Sequence, residues 1–168
     1  MTHPFHQHPG NQDTSSGLHH QTVLKDVEQI KIANFIVQEN IKGSTFELDK
    51  INNISKVKWS GNVDLATAAK LLTLGGDSVE HQGFTKLCVD RFELKEFDTA
   101  ARVWIKEMLK TRAKRLAKKV EKLAIINAES SMGGIFSNML TSSISLLMPG
   151  LTIKKFDDRE EAINWLLE

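Results

Sequence analysis

The stretch 129-ESSMGG-134 sets two hydroxyls, Ser130 and Ser131, and two glycines, Gly133 and Gly134, between an apolar β-branched run, 122-KLAIIN-127, and a helical pattern. A small-residue turn between strand and helix is where open α/β sheets bind ligands, and its free backbone N–H groups attract anions. It carries neither the Lys-Ser/Thr of a phosphate loop nor the spacing of GxGxxG, so an ordinary helix start competes with an anion role. Asp90, placed at the end of a strand 85-TKLCVD-90, and Asp98 with Thr99, ahead of the next helix, would stand on the same rim. No histidine accompanies these aspartates, and no second group completes an acid/base or nucleophilic set. The expectation is a rim for a ligand or partner, with no catalytic residue and no enzymatic activity.

A second candidate is the basic run 110-KTRAKRLAKKVEK-122. On a helix Ile105, Leu109, Ala113, Leu116 and Val120 fall within an arc of roughly 80°, and the charges occupy most of the remaining circumference. Such a helix can cover a sheet and present a solvated outer face, its Lys and Arg stems lying over neighbouring apolar surface. Lys106, Lys110, Lys114, Arg115, Lys118 and Lys119 also form a basic patch with few local acids, since only Glu107 and Glu121 lie between Lys106 and Lys122. An anionic membrane surface or an acidic protein would suit it. Nucleic acid is disfavoured, because no aromatic platform or recognition-helix motif accompanies the charges.

Bulk composition narrows the classes further. The 168 residues are 40% hydrophobic and 26% charged with a net charge of +1, which describes one globular domain and not a polyanion-coating protein. The lone Cys88, in an apolar run, suits a buried thiol in a reducing compartment, and a cytoplasmic location is expected. No segment approaches the roughly 18 uninterrupted apolar residues of a membrane span. Residues 1–21 are rich in His, Gln, Ser, Pro and Gly and are expected to be a disordered tail, leaving 22–168 as a single domain. His3, His6, His8, His19 and His20 in that tail lack a completing cysteine or carboxylate cluster, so neither a metal site nor a cofactor is expected.

These candidates need elements to position them. The run 30-IKIANFIV-37 reads as a strand, and 45-TFELDKI-51 with 54-ISKVKWSG-61 reads as an antiparallel hairpin around Asn52-Asn53. Asn62 or Asp64 caps a helix with Leu65, Ala68, Ala69, Leu72 and Val79 in phase, with Gly75-Gly76 as a break. Asp98 and Thr99 open the long basic helix, which delivers the chain to the strand 122–127. The next helix sets Ile135, Phe136, Met139, Leu140, Leu146 and Leu147 on one side and ends at Pro149-Gly150. A strand 151-LTIKKF-156 follows, and Asp158 with Glu161 has the spacing of a capping box for a last helix that buries Ala162, Trp165 and Leu166. Alternating strands and helices imply βαβ units, hence a mixed sheet flanked by helices. Trp59, Trp104 and Trp165 read as packing anchors.

The basic helix leading into KLAIIN, the small-residue turn and helix, and the ending 151-LTIKKFDDREEAINWL-166 resemble the SpoIIAA-like proteins, and the hairpin ending in KVKWSG adds to the likeness over residues 30–168. That fold is related to STAS domains and to CRAL-TRIO lipid-transfer domains. The resemblance implies a non-enzymatic α/β module that binds a protein partner or a small apolar or anionic ligand. STAS antagonists switch through a phosphorylated serine in a DSSG-like motif. The matching stretch here, 88-CVDRFELKEFDTA-100, has no serine, and Thr99 is its nearest hydroxyl; Ser130 and Ser131 follow the next strand instead.

Overall fold

The computed structural model describes residues 30–129 and 131–168, and the side chains among them except at 131–137 and 140. The expected tail, 1–21, lies outside the described residues. Within them the order is β1 (Ile36–Ile41), β2 (Ser44–Asp49), β3 (Ile54–Val63), α1 (Leu65–Gln82), β4 (Lys86–Phe97), α2 (Thr99–Ala117), β5 (Lys122–Ile126), α3 (Ser131–Leu147), β6 (Thr152–Phe156) and α4 (Arg159–Leu167). The six strands form one mixed sheet in sequence order. β1, β2 and β3 pair antiparallel, and β3, β4, β5 and β6 pair parallel. Residues Ile32–Glu168 form one compact unit.

Two turns build the antiparallel half. Lys42 (φ 52°) and Gly43 (φ 89°) make a two-residue connection between β1 and β2, and positive φ at both central positions matches the right-handed twist of the paired strands. The β2–β3 hairpin closes on Asn53 (φ 62°), as the Asn-Asn pair suggested. It is fastened by Asp49, which is fully buried and accepts from Asn34 N (2.8 Å), Ile51 N (3.1 Å), Asn52 N (3.0 Å) and Asn52 Nδ2 (2.7 Å). The first strand is displaced from its expected place, starting at Ile36 instead of Ile30. Ala33 and Phe35 nevertheless pack on the sheet as irregular chain, their apolar character serving burial and not pairing.

In the parallel half, side-chain alternation divides each strand between two layers. On one face Val57, Trp59, Val89 and their neighbours pack beneath α1 and α2, with Leu87 and Val120 continuing that layer toward α3. On the other face Ile54, Cys88, Ala124, Ile126 and Phe156 pack against Ala162, Leu166 and Leu167 of α4. Trp59 is 2% exposed and meets Phe97 edge-on at 5.2 Å, so it is a core anchor as its size suggests. The helix starts are those the sequence signals: Asp64, Asp98 and Asp158 each accept from the backbone N–H three residues on.

Gly75-Gly76 does not break α1, which runs through both residues. Gly76 is required by close approach: a Cβ there would lie 2.5 Å from Arg112 Nη1, so the missing side chain makes a seat for the guanidinium. Of the apolar face expected for α3, Ile135, Phe136 and Leu140 lie outside the described side chains, and Leu147 is 39% exposed. Thr141, Ile144 and Met148, at helical spacing, turn toward the protein, and Met139 (55%) and Leu146 (83%) are exposed.

The four donors on Asp49 generate a stability prediction. Burial pushes its carboxyl up, but the Asn52 amide and three backbone N–H groups outweigh that and hold it below the usual carboxylate range. A depressed folded pKa stabilises the fold above the unfolded value, about 3.9, and this contribution fades as pH falls through the lower folded value. Asp49→Ala should therefore cost about 1–3 kcal/mol at pH 7, by stranding buried donors, in urea unfolding. The difference between variant and native protein should shrink on acidification toward pH 2.

Candidate functional site: a buried arginine at the end of the parallel strands

β4 is the longest strand, and its middle carries two deeply buried ionic side chains side by side. Asp90 (2% exposed) and Arg91 (4% exposed) are adjacent, so alternation sends them to opposite faces. Both stand where β5 ends, since Asp90 pairs in register with Ile126. Immediately beyond, the β3–β4 register slips: Lys58 faces Asp90 and Ser60 faces Glu93, a β-bulge containing Arg91 and Phe92. Bulges re-aim side chains and terminate pairing, and this one lies at the carboxyl ends of β5 and β6.

On the α4 face Asp90 is fully engaged. Arg159 at the start of α4 donates to it through Nε (2.7 Å), and the Phe92 backbone N–H donates at 3.0 Å. Arg159 continues to Glu93 (3.4 Å), which meets Lys58 (3.4 Å), and its guanidinium lies over the Phe92 ring at 4.9 Å. This chain of charges fixes α4 to the sheet and leaves no free carboxylate for acid/base work. Nearby, burial pushes the Cys88 thiol up to about 12, which removes it as a thiolate nucleophile at neutral pH.

On the helix face Arg91 is only partly matched. Nε donates to the Ile126 carbonyl at 3.4 Å and Nη2 to Asn127 Oδ1 at 3.0 Å, while Asn127 donates through Nδ2 to Asp157 (2.8 Å). Nη1 is sealed from solvent without a hydrogen-bond partner among the described residues. Burial alone lowers the Arg91 pKa, but a guanidinium stays charged in proteins. Arg91 lines a cavity of about 90 Å³ together with Val89, Leu123, Thr141 and Ile144. A second cavity of about 130 Å³ adjoins it, sharing Leu72, Val89, Met108, Leu109, Leu123 and Ile144 and continuing to Val79, Leu116 and Met148. The result is an apolar space under α1, α2 and α3 with Arg91 and Thr141 as its polar residues at one end.

The expected rim is not one site. β4 does not end at Asp90; it stays paired with the ten-residue β3 as far as Phe97. Seven strand residues, 91–97, lie between Asp90 and Asp98, eight steps that span on the order of 25 Å at the usual rise. Asp98 is the exposed N-cap of α2, its Oδ1 held by Ala101 N at 2.7 Å, and Thr99 is the exposed first residue of that helix. Ser130 lies outside the described residues. Ser131, Gly133 and Gly134 fall in the first turn of α3 and not in a loop, with side chains outside the description.

The basic patch divides in two. α1 supplies the acids that its local sequence lacks: Arg112, itself half-buried, reaches Glu80 and Asp77 at 3.0 Å each, Arg115 reaches Glu80 at 3.4 Å, and Lys119 donates to the Glu80 carbonyl at 2.8 Å. The Arg112 bond, ahead of the opposing effect of burial, holds the Glu80 carboxyl below its usual range. That end of the run is a seam between α1 and α2. At the other end Lys106 and Lys110, the latter 3.4 Å from Glu107, flank a groove of about 370 Å³ with Leu109, Met139, Ser143, Leu146 and Leu147. Lys114 and Lys118 are exposed.

A mixed sheet with three crossover helices on one face and a fourth helix pinned to the other defines a small α/β module. The chain belongs to the SpoIIAA-like family, whose profile matches residues 54–167. That family consists in general of regulatory or interaction modules. Among solved structures the chain is similar to an uncharacterised protein of the DUF3478 family with a SpoIIAA-like fold from Shewanella loihica PV-4, at 17% identity over 83% of this chain and 98% of that one, with a TM-score of 0.46. No curated protein matches the chain. Among the described residues, no helix is long and apolar enough to cross a membrane.

The Asp90–Arg159 pair should respond asymmetrically to substitution. The Asp90 side chain is 3% exposed and that of Arg159 is 43% exposed. Arg159→Ala strands a buried carboxylate and should cost about 3 kcal/mol. Asp90→Asn frees a guanidinium that can turn to water and keeps a side-chain acceptor for Phe92 N, so it should cost about 1 kcal/mol. Equal losses in denaturant melts would contradict this account of the α4 face.

Proposed function

We propose that this protein is a non-enzymatic binding module that holds a small, slender apolar molecule between its sheet and helices α1, α2 and α3. The adjoining cavities carry this reading. Protein interiors are packed to the density of organic crystals and contain few voids larger than water, and an apolar void of about 150 Å³ is enough to hold benzene. The two spaces, about 90 and 130 Å³, are each smaller than that, but they share six side chains and together suit a slender ligand of medium chain length.

The lining supports a binding role over a reactive one, since it is apolar apart from Ser55 and the high-pKa Cys88 thiol in the larger cavity and Arg91 with Thr141 in the smaller. Leu109 borders both cavities and also the outer groove between α2 and α3. One half-buried leucine thus stands between the surface and the interior, and its rotation offers a way in. The test is calorimetric titration with 1-octanol of the native protein and of Val89→Phe, which fills the space shared by both cavities. Binding by the native protein that drops at least about tenfold in the filled variant, with thermal stability equal or raised, is the expected outcome. Unaltered binding in Val89→Phe would overturn the reading.

A second reading, docking on an anionic membrane surface, is favoured by the α2–α3 groove. There the exposed Met139 and Leu146 stand beside Lys106 and Lys110, the combination of apolar insertion and positive charge that interfacial binding uses. Sedimentation with vesicles containing phosphatidylserine should show binding that weakens with salt and is lost in the double variant Lys106→Glu with Leu146→Ser. Substituting Arg115 and Lys119, which serve the α1 seam, should change it little. Salt-independent binding, or loss only through Arg115 and Lys119, would contradict this placement.

A further inference from the structure

Arg91 is the one described side chain with a buried polar atom lacking a partner. A guanidinium carries a full charge and five N–H donors, and removing it from water is costly unless its donors and charge are matched. Its two acceptors, a backbone carbonyl and the Asn127 amide oxygen, are both neutral. The neighbouring carboxylates are otherwise occupied: Asp90 and Glu93 are held by Arg159 and Lys58, Asp157 receives Asn127, and Glu96 pairs with Arg102. Among the described residues no carboxylate comes within ion-pair distance of Arg91.

The local backbone argues against accidental burial. Arg91 follows Leu87 and Val89 on the inward phase of β4, and the bulge at Arg91–Phe92 loosens the strand where β5 stops. Nε and Nη2 face the end of β5, and the remaining corner of the fork, Nη1, stays without a partner. The same side chain lines the apolar cavity.

We propose that Arg91 anchors the headgroup of the bound molecule and that the ligand is an amphiphilic monoanion, a slender hydrocarbon chain ending in a carboxylate. This rests on the cavity-binding reading and specifies its ligand. One carboxylate oxygen accepts from Nη1 and the single negative charge neutralises the guanidinium. The chain lies along Val89, Leu123 and Ile144 toward Leu116 and Met148. A dianionic phosphate head would carry a second charge into an apolar space whose described lining holds no second cation, so a carboxylate fits better.

The experiment compares octanoate and 1-octanol, which share a chain length and differ at the head, by titration calorimetry on the native protein and on Arg91→Met. The native protein should prefer octanoate by at least about tenfold, the scale of a charge-assisted hydrogen bond in a dry site. Arg91→Met should lose that preference and retain octanol affinity, with thermal stability unchanged or raised because an unmatched buried charge has gone. Arg91→Lys should recover part of the preference. Octanol binding without an octanoate preference in the native protein would overturn the Arg91 assignment and leave the cavity reading standing. Binding of neither ligand would overturn both. Should Arg91→Met fail to fold, the octanoate-to-octanol ratio of the native protein decides the matter alone.

Discussion

Two adjacent charges in β4 cannot both be matched from the same side of a sheet. Strand alternation sends Asp90 toward α4 and Arg91 toward the layer of α1, α2 and α3. Asp90 meets Arg159 and in doing so fixes the last helix of the chain. Among the described residues Arg91 meets only neutral oxygens, so one face of the sheet is electrostatically closed and the other retains a positive charge without a carboxylate partner beside an apolar cavity. The asymmetry follows from the period-2 geometry of a strand buried on both faces, and it separates a face closed by an ion pair from a face that borders the apolar cavity.

The basic helix follows a related logic. Charges that look uncompensated along α2 are matched from α1 wherever the two helices touch, through Asp77 and Glu80 to Arg112 and Arg115. The seat for Arg112 depends on Gly76 having no side chain. Away from that seam, Lys106 and Lys110 look onto the exposed apolar side of α3. A single run of basic residues therefore divides between holding two helices together and facing outward, according to what stands opposite each turn.

Much of the architecture was legible because local signals and burial agreed. Asp98 and Asp158 cap where their spacing says, β5 and β6 stand where apolar runs place them, and Asn53 closes its hairpin. The β1–β2 turn was hidden because Lys42-Gly43 is a weak signal for a connection that needs positive φ twice. The length of β4 was hidden by its bulges: Leu94 and Phe97, three apart, are both buried in the same core layer, so alternation fails where the strand continues. Arg91 was missed for a different reason. A basic residue in phase with Leu87 and Val89 is a detectable anomaly, but the lack of a partner on its own face depends on contacts across the chain. Asp90 attracted attention as a candidate while its carboxylate was already paired with a residue 69 positions away.

The most direct measurement is a crystal structure of the protein with an eight-carbon carboxylate bound. This account predicts a carboxylate oxygen within hydrogen-bond distance of Arg91 Nη1 and a hydrocarbon chain extending past Val89 and Ile144. A carboxylate seated elsewhere, with Nη1 still unpartnered in the occupied protein, would contradict it.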